Sequence, residues 1–418
     1  VAAEADPERP LAHARWLLAP ESRALLAALG AEGHEARFVG GCVRDTLLDP
    51  HLDPADLDLA TQERPEALHR RLEALGFKVV PTGLAHGTIT VLVGKRHFEV
   101  TTLRRDVACF GRHAEVAFSE DFAEDAARRD FTINAMSCDG RGRLFDPFGG
   151  RADLASGRVR FVGEARQRIR EDYLRILRFF RFWARFGRPP ADPAALEACA
   201  AEAAGLERLS GERVRGELER LLLAPGAVPA LVLMEEAGVR PHLLPVRPAL
   251  ERLARLVAIA HGADAILRLA ALVRDRLDRA GLEALADRLR LANRERDRLL
   301  ALATVALPDP LAGRAARERA VYRLGFPLWR DLVRLAAAER DLEGPALAAL
   351  LEEMARFHPP TFPLTGADLL ARGVAEGPGL GRLLAEVRAW WEAEGFVPDR
   401  AACLARLEAL LEAGPRPG

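Results

Sequence analysis

In the run FVGGCVRDTLLDPHLDPADLDLA, residues 38–60, a glycine pair and an arginine precede two carboxylates spaced by one residue. In a strand, side chains at i and i+2 face the same way, so Asp56 and Asp58 would point together while Leu57 and Leu59 turn into a core. Two such carboxylates can hold Mg²⁺. Gly40 and Gly41 have no Cβ, so their backbone N–H groups can come close to a phosphate, and Arg44 follows to meet its charge. Either element alone marks many surface turns. Together, in this order and with Val43-Arg44-Asp45 between them, they read as a phosphate cradle beside a metal site.

Further groups could complete such a site. In His97-Phe98-Glu99-Val100, alternation puts Glu99 on the face opposite Phe98 and Val100, where it either joins Asp56 and Asp58 or is an exposed strand residue. Arg128-Arg129-Asp130-Phe131-Thr132-Ile133-Asn134 sets two guanidinium groups beside a hydrogen-bonding Asp and Asn. That combination can grip a phosphate and a ribose hydroxyl, or act as a charged helix cap. Glu171-Asp172-Tyr173-Leu174-Arg175 opens a helix running through ILRFFRFWARFG, with Asp172 and Arg175 on one face, able to meet the Watson–Crick edge of a base. A Glu171–Arg175 pair at i,i+4 is compatible with that use. Arg178, Arg181 and Arg185 continue the helix at i, i+3 and i+7, as a track for an RNA backbone or as a solvated face.

These segments carry a resemblance. GGxVRD followed by DxDLA resembles the opening motif of the polymerase-β-type nucleotidyltransferases, in their class II tRNA nucleotidyltransferase and bacterial poly(A) polymerase branch. RRDFTINAM is similar, nearly letter for letter, to that family's second motif, and xEVTTLR sits where the family carries an acidic residue beside the metal pair. DPFGGRADL, from Asp146, resembles the connection from head to neck. EDYLRILRFFRF resembles the fourth motif, and SGERVRGEL the fifth, with Ser210 as N-cap of a neck helix.

The resemblance implies that Asp56, Asp58 and Glu99 are catalytic, with Asp56 and Asp58 as ligands of two Mg²⁺ ions that activate the primer hydroxyl and neutralise the triphosphate. It implies that Gly40, Gly41 and Arg44 bind the triphosphate, and that Arg128, Arg129, Asp130 and Asn134 bind the ribose. Asp172 and Arg175 would select the incoming ATP or CTP without a template, supported by Asp45, Glu171, Arg178 and Arg181. The implied reaction is addition of CCA to the tRNA 3′ end from CTP and ATP. A bacterial poly(A) polymerase, an A-adding tRNA nucleotidyltransferase and a catalytically inactive RNA-binding module are the alternatives.

The elements that must position these groups change character along the chain. Up to about residue 150 the pattern is mixed: an amphipathic start from Trp16 to Leu29, an apolar run before Gly40, a strand from Asp56 and a helix after Arg64-Pro65. KVVP and GTITVLVGKRHFEVTTL then read as a hairpin turning at Gly94-Lys95. The polar stretch from Arg104 to Asp125, with Gly111-Arg112-His113, suggests a mobile loop, which in the family lets one site switch from CTP to ATP. After residue 160 strand signals vanish, and Ala, Leu, Arg and Glu recur at helical spacing.

The expected class is α+β. A small mixed α/β head (1–157) with a β-sheet precedes an all-helical neck (158–225), body (226–355) and tail (356–418), the tail as a tRNA contact. The tail helices would pack around Trp390 and Trp391, and a phosphate contact at a helix N-terminus is compatible with that.

Composition narrows the class further. With 49% hydrophobic and 29% charged residues the chain is an ordinary globular one, and its net charge of −1 excludes a uniformly basic coat. Charge is uneven all the same: residues 151–190 hold eleven Arg against four acids, a local net of +7. The five cysteines show no CxxC or Cys/His cluster, so neither zinc nor disulfides are expected. No stretch is long and apolar enough to span a bilayer, and the first residues carry acids and prolines, not a basic start and an apolar core. A cytoplasmic protein with no membrane partner is the expectation.

Overall fold

The computed structural model describes residues 8–412, apart from 55, 85, 86, 111, 112, 261 and 341; the side chains of residue 82 and of residues 106–116 are also outside the description. The chain divides into two compact units. One runs to Arg247 and takes in Asp287–Arg290, and the other comprises Pro248–Ala286 and the chain from Leu291.

The first unit is built on a mixed seven-stranded sheet. Its strands are β1 (Ala36–Val39), β2 (Asp56–Thr61), β3 (Lys78–Gly83), β4 (Thr88–Val93), β5 (Arg96–Thr102), β8 (Ser137–Cys138) and β9 (Leu144–Phe145), in the order β3-β4-β5-β2-β1-β8-β9. Period-two alternation orients β2: Leu57 and Leu59 are buried, while Asp56 is exposed and Asp58 half-buried. β2 lies parallel to β5 with Asp58 opposite Glu99 and Asp56 opposite His97, whereas β4 and β5 form the expected hairpin around Gly94-Lys95. Under β1, Phe38 meets the edge of Trp16 at 4.7 Å, and the Trp16 indole N–H donates to Thr46 at 2.8 Å.

The stretch after Arg104 differs from the loop expected of it. β6 (Arg104–Phe110) and β7 (His113–Phe118) pair as a separate antiparallel ribbon, and the helix Phe122–Ala127 follows. Gly111 and Arg112, within the expected loop, lie outside the described residues. Charge and glycine suggested a loop, but two strands can satisfy their backbone groups by pairing with each other. Asp121 caps the helix, its carboxylate accepting from Ala123 N–H at 2.7 Å.

Beyond the sheet the unit is helical. The start of the long helix also departs from expectation. The helix Ala165–Glu171 ends at Glu171, Asp172 is extended (φ −156°, ψ 105°), and a new helix, Leu174–Phe186, begins two residues later. Asp172 breaks the run because its carboxylate accepts from Leu174 N–H at 3.2 Å, competing with a continued helix. Phe179, Phe180, Phe182 and Trp183 of the second helix are buried, and Phe131 packs against Phe161, Phe179 and Phe182 at centroid distances of 4.7, 6.4 and 5.3 Å. This cluster pins the RRDFTINAM segment to the helix. Ser210 does precede the helix Gly211–Leu223, but its hydroxyl makes no capping bond. The next helix, Ala227–Glu236, is tied on by Gly226 N–H donating to Ala184 O at 2.8 Å.

The second unit is helical among its described residues. One core gathers Val321, Trp329, Val333, Leu347 and Met354; another gathers Phe362, Leu369, Val387, Trp391, Cys403 and Leu407. In the tail, the Thr365–Asp368 capping box starts the helix Gly366–Leu370, and Trp391 is buried, as core packing required. A mixed sheet followed by helices confirms the α+β class. No described helix is long and apolar enough to cross a membrane. Cys42, Cys138, Cys199 and Cys403 are free and buried; the side chain of Cys109 lies outside the description.

Candidate active site

A cleft of about 450 Å³ opens in the first unit above the sheet. Gly40, Gly41 and Arg44 reach it from the turn after β1, Asp58 from β2, and Arg128, Arg129, Asp130 and Asn134 from the segment after the helix Phe122–Ala127. Asp172, Arg175 and Arg178 reach it from the start of the helix Leu174–Phe186. Asp56 and Glu99 do not line the cleft wall, but they share the sheet face of Asp58, two residues along β2 and directly across on β5.

The turn after β1 demands glycine. Gly40 has φ +71° and ψ −122°, and a Cβ there would stand 3.0 Å from Arg129 Nη1. Arg129 thus lies against the turn, and it also pulls on Asp58. Burial, with Glu99 beside it and Asp56 adding to the repulsion, nevertheless pushes Asp58 up to about 6. A half-buried carboxylate strained by two neighbouring acids is negative charge that a cation would relieve, so the donor set suits a hard divalent metal. The three carboxylates are not drawn into a tight cage. Among the described residues, the one trio of His or acidic groups with ligand atoms all within 4.8 Å is Glu32, His34 and Glu63, where Glu63 already accepts from Arg71 Nε at 2.9 Å.

The arginines are held by carboxylates. Asp125, buried, accepts from Arg128 Nη2 at 2.7 Å and Arg129 Nη2 at 3.2 Å, and so aims both guanidinium groups. Burial alone would raise Asp125, but the two arginines hold it below the ordinary aspartate range. Arg44 donates from Nη1 to Asn134 Oδ1 at 2.5 Å and from Nε to Asp45 at 2.7 Å, with its guanidinium 4.5 Å from the Phe186 centroid. Asn134 in turn donates to Asp130 at 3.0 Å. Burial opposes the ionised form of Asp130, yet Arg178 and Asn134 hold it below the usual range.

The arginine stripe of the helix Leu174–Phe186 is paired with carboxylates of neighbouring elements. Arg178 Nε donates to Asp130 at 2.7 Å, Arg181 Nε to Glu217 at 2.5 Å, and Arg185 Nη2 lies 3.3 Å from Asp45. The acids that meet them, Asp130, Glu217 and Asp45, lie outside residues 151–190 and so outside that local charge count.

At the far wall, Asp172 and Arg175 both face the cleft from either side of the helix break. Asp172 Oδ2 accepts from Arg213 Nη2 at 2.7 Å, while Arg175 Nη1 donates to Glu171 at 2.6 Å, the i,i+4 pair, and to Arg168 O at 2.8 Å. Each keeps further hydrogen-bonding capacity toward the cleft. Sequence reasoning missed Asp125, Arg213 and the partner role of Glu217. Asp125 could have been found from its i,i+3 and i,i+4 spacing to Arg128 and Arg129; the other two meet partners more than thirty residues away.

The arrangement can hold a polyanion against a glycine turn, place its far end near paired carboxylates, and offer an acid and a guanidinium to a base. Comparison with known proteins agrees. Residues 36–160 match the Poly A polymerase head domain, and residues 191–250 match the probable RNA and SrmB-binding site of polymerase A. The mouse mitochondrial CCA tRNA nucleotidyltransferase 1 is 35% identical over 392 residues, covering 92% of this chain and 89% of that protein. The CCA-adding enzyme of Lactobacillus johnsonii is 30% identical over 87% of this chain and 90% of its own length. The crystal structure of the Bacillus stearothermophilus CCA-adding enzyme in complex with CTP superposes with a TM-score of 0.76 at 29% identity, covering 94% of this chain and 97% of that one. On the cleft and on relatives matched along most of their length, this chain belongs to the family of CCA-adding tRNA nucleotidyltransferases.

Proposed function

We propose that the protein extends tRNA 3′ ends by C, C and A from CTP and ATP, without a nucleic-acid template, releasing pyrophosphate. The observation that carries this reading is the junction of three chemistries in one cleft: a glycine turn with Arg44, Asp58 beside Glu99, and Asp172 near Arg175. Relatives named for CCA addition support the choice of product.

In this reading Gly40, Gly41 and Arg44 receive the triphosphate. Arg128, Arg129, Asp130 and Asn134 meet the ribose, and Asp172 with Arg175 reads the base. Glu171, Asp45, Arg178 and Arg181 hold these groups in place. The family uses a divalent metal; our finer assignment is that Asp56 and Asp58, with Glu99, would hold two Mg²⁺ ions, which would supply activation of the primer hydroxyl and charge neutralisation for the pyrophosphate. Positioning and charge neutralisation supply most of the rate in phosphoryl transfer, so no side-chain nucleophile is required. The head extends to residue 157, the neck to 225 and the body to 355, with the tail contacting tRNA; we assign the activity to the cytoplasm.

Transcripts ending at the discriminator base, at C or at CC, each supplied with one NTP, test the product. CTP should extend the first two, and ATP only the third, by one residue. Growth of an A tract would instead identify a poly(A) polymerase.

A further inference from the structure

Glu217, in the helix Gly211–Leu223, is 3% exposed and belongs to none of the groups that meet substrate in the scheme above. A carboxylate this deep is strongly unfavourable unless paired, and three arginines surround it: Arg181 Nε at 2.5 Å, Arg220 Nη1 at 3.3 Å and Arg178 Nη1 at 3.7 Å. Arg178 divides its fork. One edge touches Glu217, while Nε and Nη2 reach Asp130 Oδ2 at 2.7 and 2.5 Å. That leaves Asp130 Oδ1 for Phe131 N–H at 2.9 Å and Asn134 Nδ2 at 3.0 Å. The bond orients the Asn134 amide so that its oxygen accepts from Arg44 Nη1 at 2.5 Å. A chain made of an ion pair at 3.7 Å from the neck helix to Arg178, followed by charge-assisted hydrogen bonds, therefore runs through Asp130 and Asn134, two of the groups assigned to the sugar, to the arginine of the glycine turn.

We propose that Glu217 is a positioning residue for the sugar end of the nucleotide site, fixing Asp130 and Asn134 through Arg178. The inference rests on the assignment of this cleft to nucleotides. It carries a signature of its own: Asp172 and Arg175 are hydrogen-bonded to Arg213 and Glu171 and reach Arg178 and Asp130 through charge alone, so the effect of Glu217 should fall on the sugar whichever base is bound. Its loss would also leave Arg181 unmatched, since burial lowers the Arg181 pKa and Glu217 opposes that.

Steady-state kinetics of Glu217→Gln in the full-length protein test this. KM for CTP and for ATP should rise together, by about tenfold, with kcat less affected, and preference for ribo- over deoxynucleotides should fall by about threefold or more. KM for tRNA should stay within about twofold. Lower thermal stability with unchanged nucleotide KM and unchanged sugar preference would overturn the proposal, as would a change confined to one base. If Glu217→Gln does not fold, Arg178→Lys, which breaks the chain one link nearer the sugar, should give the same pattern, and unaltered sugar preference there overturns it equally. Wild-type protein run in parallel separates the two levels: no CMP incorporation by wild type defeats the assignment of the cleft, whereas active wild type with an indifferent variant defeats the role of Glu217 alone.

Discussion

Asp125 and Asp58 are both shielded carboxylates, and their surroundings push them in opposite directions. Asp125 is held low by the two guanidinium groups it aims. Replacing it with Asn keeps the shape and removes the charge, so Arg128 and Arg129 lose their anchor; KM for either nucleotide should rise about five- to tenfold in initial-rate assays. Asp58 is pushed up to about 6, so the metal-free folded state binds its proton more tightly than the unfolded chain does. Stability without metal should therefore increase as pH falls from about 6 toward 4, and fall as pH rises through 6. A divalent ion competes with that proton, so Mg²⁺ should raise the melting temperature at pH 8 and lose most of that effect at pH 5. Equal Mg²⁺ shifts at both pH values would contradict this. Asp56 and Asp58 were legible from the sequence because period two is local and strict, whereas alternation left Glu99 open, since a hairpin does not say which strand lies on its other side. The partners of the arginines were not, because an ion pair such as Arg213–Asp172 spans 41 residues and leaves no spacing to read.

The elements hold the site through apolar contacts as much as through charge. Phe131 is fully buried between Phe161 and the helix Leu174–Phe186, and it sits between Asp130 and Thr132 in the segment proposed to meet the sugar. Phe131→Ala should destabilise the first unit by about 3–5 kcal/mol in chemical denaturation, and should weaken nucleotide binding even where the protein remains folded. Close backbone approach matters at the same junction, since a Cβ on Gly150 would stand 2.2 Å from Thr132 O. Strand alternation and the GK turn could be read directly. The break at Asp172 could not, because Glu171 and Arg175 pair across it just as they would in one unbroken helix. The ribbon β6–β7 was read as a loop for a related reason: its charges and glycine are loop signals, and backbone pairing between two short strands leaves no separate mark in composition.

At the scale of the molecule, the cleft proposed for the nucleotide lies within the first unit, and the tail belongs to the second. Trp391→Ala, which empties the centre of the tail core, should lower the stability of that unit by about 3–5 kcal/mol. It should raise KM for tRNA while leaving equilibrium CTP binding unchanged; weakened CTP binding would count against separate roles. That the chain has a mixed head and a helical remainder was plain from the loss of strand signals. Its division into units was not, because Asp287–Arg290 joins the first unit from within the sequence of the second, and alanine-rich helices carry little that marks which core they serve.

The most direct test of the account is single-turnover CMP incorporation on a tRNA ending at its discriminator base, comparing wild type with Asp56→Ala and Asp58→Ala. CTP binding and melting behaviour in each variant should be checked alongside. The paired carboxylates predict a loss of about a thousandfold or more in the incorporation rate with the fold retained. Incorporation within about tenfold of wild type in either variant would contradict the assignment of this site as the centre of the reaction.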